Sequence, residues 1–509
     1  MMLMVTLFLS NVLGFLRDRF LAQKIIAADV DTYFNAFRLP DLVFNVLILG
    51  AVTTAFIPVF TDYLFKKGQD DEAWRLANTV LNLAAITLLV SLAFLYFLMP
   101  IIIPYISPFN ESERVDQTVM LARMLIFQPF IFGLSYIAGG VLNSFKRFVA
   151  YAFAPLVYNG AIILSIVYLS PVYGIKGVVY GVIAGALLHL LIQIPTLLTL
   201  GYRYRPIIDW RLDGLRQIFQ LMIPRTVQLL LLQLVLLVFA RAAAQLPIGS
   251  ASGLGYADNI QTVPTVIFGN AFALASFPYL SEAFSNSKTE HFNRYLGRAT
   301  KAALFFLLPS AVGLYLLRVQ LVRLVLGSGH FGWDQTIMTA DALGMYAIGL
   351  TALGLIPLFS RAFFAMQDTR TPMLLAIPGT VVAIALGYWL AFSTGWGVGG
   401  LALAFSISNI LQLGLLYGVL RKRINLTIER DLVVSLLTYI LLALIMALAI
   451  QLVKTYIGTV TDLRFGVNVL LQGVVGLVVG AATYLGLAFI LRLEEVEFLW
   501  KKKKIFTTI

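Results

Sequence analysis

Residues 39–76 read LPDLVFNVLILGAVTTAFIPVFTDYLFKKGQDDEAWRL, and residues 263–296 read VPTVIFGNAFALASFPYLSEAFSNSKTEHFNRYL. Each stretch has a proline, an apolar run, the pattern A-[FS]-[IF]-P, an acidic residue and a polar loop ending in an arginine. Pro40 and Pro58 are 18 residues apart and Pro264 and Pro278 are 14 apart, a difference of 4. That is close to one helical turn, so the paired prolines keep a similar facing. A second echo sets LNSFKRFVAYAFAP beside FFAMQDTRTP. The chain therefore reads as one unit written twice.

The medium around that unit is lipid. Of 509 residues, 60% are hydrophobic and 12% are charged, with a mean hydropathy of +0.88. A water-soluble chain carries about 25% charged residues. Apolar runs of about 20 residues, long enough to cross the hydrocarbon core, recur along the whole sequence. There is no cysteine, so disulfides, thiolate metal sites and cysteine nucleophiles are excluded. The three histidines, His189, His291 and His330, are far apart and form no HExxH pair. No metal site and no cofactor is expected. The N-terminus lacks a basic region and a small-residue cleavage site, and reads as a first spanning helix instead of a removed signal peptide.

The expected fold class is an all-α polytopic membrane protein with about 14 transmembrane helices. Two pseudo-symmetric six-helix lobes, residues 1–205 and 206–425, are followed by two additional helices and a basic cytoplasmic tail in 426–509. Six helices separate the copies, so the repeats are parallel, an arrangement that places a substrate site between halves. With the N-terminus in the cytoplasm, the cytoplasmic loops and C-terminus hold 23 of the 37 basic residues, from Lys66 and Lys67 to Lys501–Lys504. Few lie opposite. This asymmetry puts both termini in the cytoplasm. It also explains the net charge of +12 without nucleic acid. The terminal lysines read as a topology anchor, with contact to anionic lipid as the other reading.

Charged residues inside spans mark function or buried pairing, because each costs about 2.5–3.5 kcal/mol at a helix centre. The first helix contains SNVLGFLRDR, with Asn11, Gly14, Arg17 and Asp18. Gly14 would give a neighbouring group room to approach. On the second helix Asp31, Asn35, Arg38, Asp41 and Asn45 form a continuous polar stripe on an apolar rod, with Pro40 permitting a bend. The seventh adds Arg225, Gln228, Gln233 and Arg241, the eighth Asp258 and Asn259, the tenth Ser360 and Arg361. The functional reading is a hydrated cavity in which Arg17 and Arg38 bind an anion. The structural reading is ion pairing, Arg17 with Asp18 or Asp31 and Arg38 with Asp41. The cavity candidates are Arg17, Asp18, Asp31, Asn35, Arg38, Arg225 and Asn259, followed by Asn11, Asn45, Gln233, Arg241 and Arg361. His189 reads as a packed, hydrogen-bonded side chain, and the ladder Gly177, Gly181, Gly185 as a close-packing face.

In order along the chain, SNVLGFLRD, DTYFNAFRLPDL, AFIPVFTDY, LNSFKRF with a following FAP, YADNIQTVP, FPYLSE and FFAMQDTRTP resemble the signature segments of the MurJ/MviN family. These are bacterial lipid II flippases of the multidrug/oligosaccharidyl-lipid/polysaccharide exporter superfamily. The resemblance implies two six-helix lobes, fourteen spans and a cationic central cavity; a monomer in the bacterial cytoplasmic membrane is expected. It also implies movement of a lipid-linked peptidoglycan precursor from the inner to the outer leaflet by alternating access. It assigns the family's first-helix arginine and aspartate to Arg17 and Asp18, and the acidic residue opening the second helix to Asp31. Guanidinium forks suit a pyrophosphate headgroup, and a lateral groove made by the last two helices suits the polyprenyl tail. Three arginines usual in the family are replaced here, by Asn11, by Phe44 or Asn45, and by Asn259. LVLLVFA and PGTVVAIALG carry no carboxylate, so no sodium site is expected.

The other readings are a flippase for a different polyprenyl-linked saccharide, a drug or metabolite antiporter of the same superfamily, a membrane glycosyltransferase and a non-transporting scaffold. An antiporter for cations would favour an acidic cavity, against Arg17, Arg38, Arg225 and Arg241. A glycosyltransferase would need carboxylates on a substantial outer loop, and SPFNESERVDQ is short. No GxxxxGK[ST] motif is present for ATP, and membrane potential is a candidate driver.

Overall fold

The computed structural model describes residues 2–50, 55–65, 70–327, 329–424, 430–460 and 466–496. Among them there are helices and no strands. Backbone groups in lipid have no water to bind, so each apolar segment satisfies its own N–H and C=O groups as a helix.

The chain runs through α1 (Met2–Lys24), α2 (Ala27–Phe44), α3 (Ile57–Phe65), α4 (Asp70–Ile106), α5 (Ser112–Leu125), α6 (Phe127–Ser144) and α7 (Phe148–Tyr168). Then come α8 (Ser170–Tyr173), α9 (Ile175–Leu191), α10 (Ile194–Thr199), α11 (Asp213–Ala244), α12 (Ser250–Pro264) and α13 (Ala271–Ser285). The rest is α14 (Thr289–Leu316), α15 (Arg318–Leu326), α16 (Trp333–Ala365), α17 (Arg370–Tyr388), α18 (Gly397–Ile424), α19 (Arg430–Val460) and α20 (Gly466–Ile490). Among the described residues 12 helices are long and apolar enough to cross a membrane. The first two helices are not among them, because α2 and the second half of α1 carry the charged residues singled out above.

Both copies of the repeated segment change helical pitch. Beyond Pro40, α2 passes into π-helical turns at Asn45–Leu49; beyond Pro264, α12 does so at Thr265–Asn270. Proline gives no N–H to the carbonyl four residues earlier, and in both copies the wide turn follows on the C-terminal side of the proline. The second wide turn lies against bare backbone: a Cβ on Gly269 would stand 2.4 Å from the Gly354 carbonyl oxygen in α16.

The chain forms two compact units, Met1–Ser252 with Ser328–Phe331, and Gly253–Gly327 with Gly332–Ile509. In the first, Phe56, Phe60, Leu76 and Leu142 centre a core to which α11 contributes Leu215 and Ile218. The α11 helix is fastened there by Gly214 N–H donating to the Tyr63 hydroxyl at 2.9 Å and by Thr226 Oγ1 donating to the Val46 carbonyl at 3.3 Å. The glycine ladder packs α9 on α7 as expected: a Cβ on Gly181 would fall 1.8 Å from Ser165 Oγ. In the second unit, Phe292, Phe305, Phe363 and Tyr439 lie at the core. There Gln320 Nε2 donates to Gln472 Oε1 at 2.6 Å, Gln472 Nε2 to the Lys454 carbonyl at 2.7 Å, and Lys454 Nζ to the Leu316 carbonyl at 2.6 Å. Those bonds tie α19 and α20 to α14 and α15. Lys501–Lys504 lie outside the described residues.

Candidate functional site

Within the first unit, α1, α2 and α7 gather a set of polar side chains. Arg17 donates from Nε and Nη2 to one oxygen of Asp18, at 3.0 and 2.8 Å. Its third nitrogen, Nη1, donates to Asn159 Oδ1 on α7 at 3.2 Å. Asp18 is sealed at 4% side-chain exposure, whereas Arg17 keeps 26%. Asn159 Nδ2 in turn donates to the Pro155 carbonyl at 3.2 Å. The pairing expected of a structural Arg17 is present, while about a quarter of its side chain stays exposed. Nothing described lies within 4 Å of a Cβ built on Gly14. That glycine borders open space and accommodates no close neighbour.

Asp31 has a different environment from the rest of its stripe. It is 2% exposed. One oxygen accepts the Gly249 N–H at 2.7 Å and the other the Ser252 N–H at 2.8 Å, with Arg114 Nη2 3.4 Å away. A carboxylate on the free N–H groups opening α12 is a helix cap that also opposes the helix dipole. Around it Arg114 lies over the Phe109 ring, and Gln117 Nε2 donates to Asp29 Oδ1 at 2.9 Å. Both Asp31 oxygens are thus engaged by protein, which places it in the frame of the unit.

One turn on, the stripe loses its partners. Asn35 is buried with Nδ2 unbonded, and Arg38 is half-buried with Nε unbonded. Among the described residues Arg38 makes no ion pair within 4 Å; the Arg38–Asp41 pairing survives only as a through-space attraction between the two charges, without a hydrogen bond. On α11, Arg225 Nη1 donates to Gln228 Oε1 at 2.8 Å, and its Nε is buried without a partner. The neighbouring Thr226 is bonded to Val46, so Arg225 stands beside the wide turn that holds half-buried Asn45. Gln233 is buried farther along α11 and Asn11 half-buried on α1. Arg241 is not part of this group, since it donates to the Tyr105 carbonyl near the end of α4.

In the second unit, Asn259 is half-buried on α12, one residue past Asp258, which accepts from Gln261 at 2.9 Å. Arg361 Nη1 donates to the Asn270 carbonyl, the last residue of the wide turn, at 3.3 Å. A separate feature is an apolar groove of about 560 Å3 bounded by α14, α15, α19 and α20, with Phe306, Pro309, Leu317, Ile450, Ala481 and Tyr484 on its walls.

His189 is a packed residue, as its sequence context suggests. Ser135 Oγ lies 2.7 Å from its Nδ1, Gln193 Nε2 donates to Ser135 Oγ at 2.7 Å, and Tyr136 stacks on the ring. No group of three or more His, Asp or Glu side chains suited to a metal exists among the described residues. Asn159 and Arg114 were missed from sequence. The only available signals were an amide four residues after Pro155 in an apolar helix, and a basic residue on the face with few of them.

A family model described as lipid II flippase MurJ matches residues 26–472. The chain is 28% identical over 428 residues to the lipid II flippase MurJ of Burkholderia cenocepacia, covering 82% of each chain. It is 24% identical over 497 residues to the "Probable lipid II flippase MurJ" of Rickettsia prowazekii, covering 96% of each. Its fold is similar to a solved lipid II flippase MurJ in an inward closed conformation, with a TM-score of 0.79 at 24% identity over 96% of this chain and 99% of that one. A multidrug resistance transporter of the MATE family in an inward-facing conformation follows, with a TM-score of 0.71 at 16% identity over 82% and 94%. The signature segments, the charged stripe on α2 and the family match over residues 26–472 agree, and the chain belongs to the lipid II flippase MurJ family.

Proposed function

We propose that this protein carries lipid II from the inner to the outer leaflet of the bacterial inner membrane, by alternating access of a polar cavity. It works as a transporter and not an enzyme. The observation that carries the reading is Arg38, a half-buried guanidinium whose Nε has no hydrogen bond and which is drawn to Asp41 only through space, with no ion pair within 4 Å among the described residues. Leaving a cation half-buried without a hydrogen-bonded anion is costly, and a diphosphate supplies such an anion with fork-shaped geometry. Arg17, with Asp18 behind it, and Arg225 add donors to the same unit. The apolar groove beside α19 and α20 suits a polyprenyl tail, which stays in hydrocarbon while the headgroup crosses.

The proposed transport halves follow the repeat, residues 1–205 and 206–425, with the wide turn after Pro40 and its counterpart after Pro264 as equivalent bending points. In this reading α1 and α2 complete fourteen spans, both termini are cytoplasmic, and the chain acts as a monomer. Fewer arginines than is usual in the family make the grip depend more on Arg38.

The test is depletion of the protein in its host, complemented with wild type or Arg38→Ala, followed by an assay of which leaflet holds lipid II. Accumulation on the inner side in the variant, at normal abundance, is expected. Unchanged lipid II distribution during depletion of the wild type would overturn the reading and favour another saccharide lipid or a scaffold.

A further inference from the structure

A second groove, of about 670 Å3, lies in the first unit where α4 meets α5. Its chemistry starts with two prolines. Pro100 and Pro104 lie one turn apart inside α4, and neither has an N–H to give the carbonyl four residues earlier. The carbonyls of Tyr96 and Pro100 thereby lose their helical donors on the face that lines the groove. Arg123 of α5 serves the first: Nε donates to the Tyr96 carbonyl at 3.2 Å and the guanidinium lies 4.6 Å from the centre of the Tyr96 ring. Its two terminal nitrogens have no bond among the described residues. Asp116, two turns earlier on α5, is exposed and also lines the groove.

Depth decides what can reach it. The α4 helix has 37 residues, about 55 Å at 1.5 Å each, against a hydrocarbon core of about 30 Å. Its ends project into the headgroup layers. Arg123 is about 16 Å along α5 from Ser112, and its side chain points back toward the start of the helix. With α4 centred on the core it overhangs by about 12 Å at each end. Tyr96, whose carbonyl Arg123 holds, lies ten residues, about 15 Å, from the C-terminal end of α4, which sets the guanidinium near the boundary between hydrocarbon and headgroups. Phe97, Ile101 and Tyr105, exposed along α4, offer a surface for acyl chains.

One cation, one anion and a carbonyl acceptor in one groove complement a zwitterion. A purely anionic headgroup would meet Asp116, and a quaternary ammonium has no N–H for a carbonyl. We propose that the α4–α5 groove binds a phospholipid bearing a primary ammonium, with its phosphate on Arg123 and its ammonium between Asp116 and the Pro100 carbonyl. This site is separate from the arginines assigned to transport, and its occupancy is read without transport.

The experiment is native mass spectrometry of the purified full chain, titrated separately with phosphatidylethanolamine, phosphatidylcholine and phosphatidylglycerol. The wild type is expected to retain phosphatidylethanolamine best. Arg123→Gln, which keeps a donor for the Tyr96 carbonyl, should weaken that retention about tenfold or more, the loss of one charge-assisted hydrogen bond. Asp116→Asn should abolish the preference for phosphatidylethanolamine over phosphatidylcholine. If Arg123→Gln does not fold, Val119→Trp fills the groove and should give the same loss. Equal retention of phosphatidylglycerol by the wild type, or unchanged retention in the folded variants, overturns the proposal.

Discussion

Asp31 and Arg38 lie seven positions apart on one stripe, and their surroundings assign them opposite work. The carboxylate is enclosed, with both oxygens on backbone N–H groups. Asp31→Asn turns one acceptor into a donor facing an N–H, and a buried N–H left without an acceptor costs about 1–3 kcal/mol. Lower abundance and a lower melting temperature in detergent are expected, with residual transport in proportion to the protein left. Arg38→Ala should show the reverse, normal melting with transport lost. A stable, inactive Asp31→Asn protein would contradict the framing role. Sequence spacing placed both residues on one face, because a period of 3.6 is local. It could not say which would meet Gly249, more than 200 residues away.

At the scale of elements, the glycine ladder was legible because small residues four apart on an apolar helix have few uses besides close approach. The structure supplies its counterpart. A Cβ on Gly181 would meet Ser165 Oγ at 1.8 Å and Ser165 Cβ at 2.3 Å. Gly181→Ala should separate α7 from α9 and cost about 1–3 kcal/mol by overpacking. The double variant Ser165→Gly, Gly181→Ala moves the methyl group across the same contact and should recover most of the melting temperature. No recovery would place the damage elsewhere. The bends in α2 and α12 were half legible: proline marks the misfit, but the wide turns begin five residues beyond Pro40 and one beyond Pro264. Packing against Thr226 in one case and Gly354 in the other accompanies the difference.

For the whole molecule, the question is how an amphiphile with a charged head and a long apolar tail is held. The groove of the second unit is the candidate for the tail, and Gly313 lies on its wall with nothing within 4 Å of a built Cβ. Gly313→Phe should therefore fill the groove without disturbing its surroundings, and replacing a helical glycine by phenylalanine also favours the helix by about 0.5 kcal/mol. Transport should fall severalfold or more while the melting temperature holds or rises. Full transport with a filled groove would remove it from the path of the tail. The compact units do not divide where the repeat divides, since α11 is fastened to α3 and to the wide turn after α2. A repeat is a property of sequence order, whereas a compact unit is a property of which surfaces are buried together.

The amino-acid sequence alone determined the medium, the helices, the duplicated segment, the family resemblance and the shortlist of charged residues. Each of these is local or additive: hydropathy sums over about 20 residues, and helical facing follows from spacing. Tertiary structure decided the roles within that shortlist. It set Asp31 on the start of α12 and Arg17 on Asp18 and Asn159, left Arg38 without a close ion pair, and brought Arg123 to the carbonyl that Pro100 leaves free. The physical reason is that a charge in lipid is defined by its partner. Partners come from distant parts of the chain, so a one-dimensional pattern cannot name them.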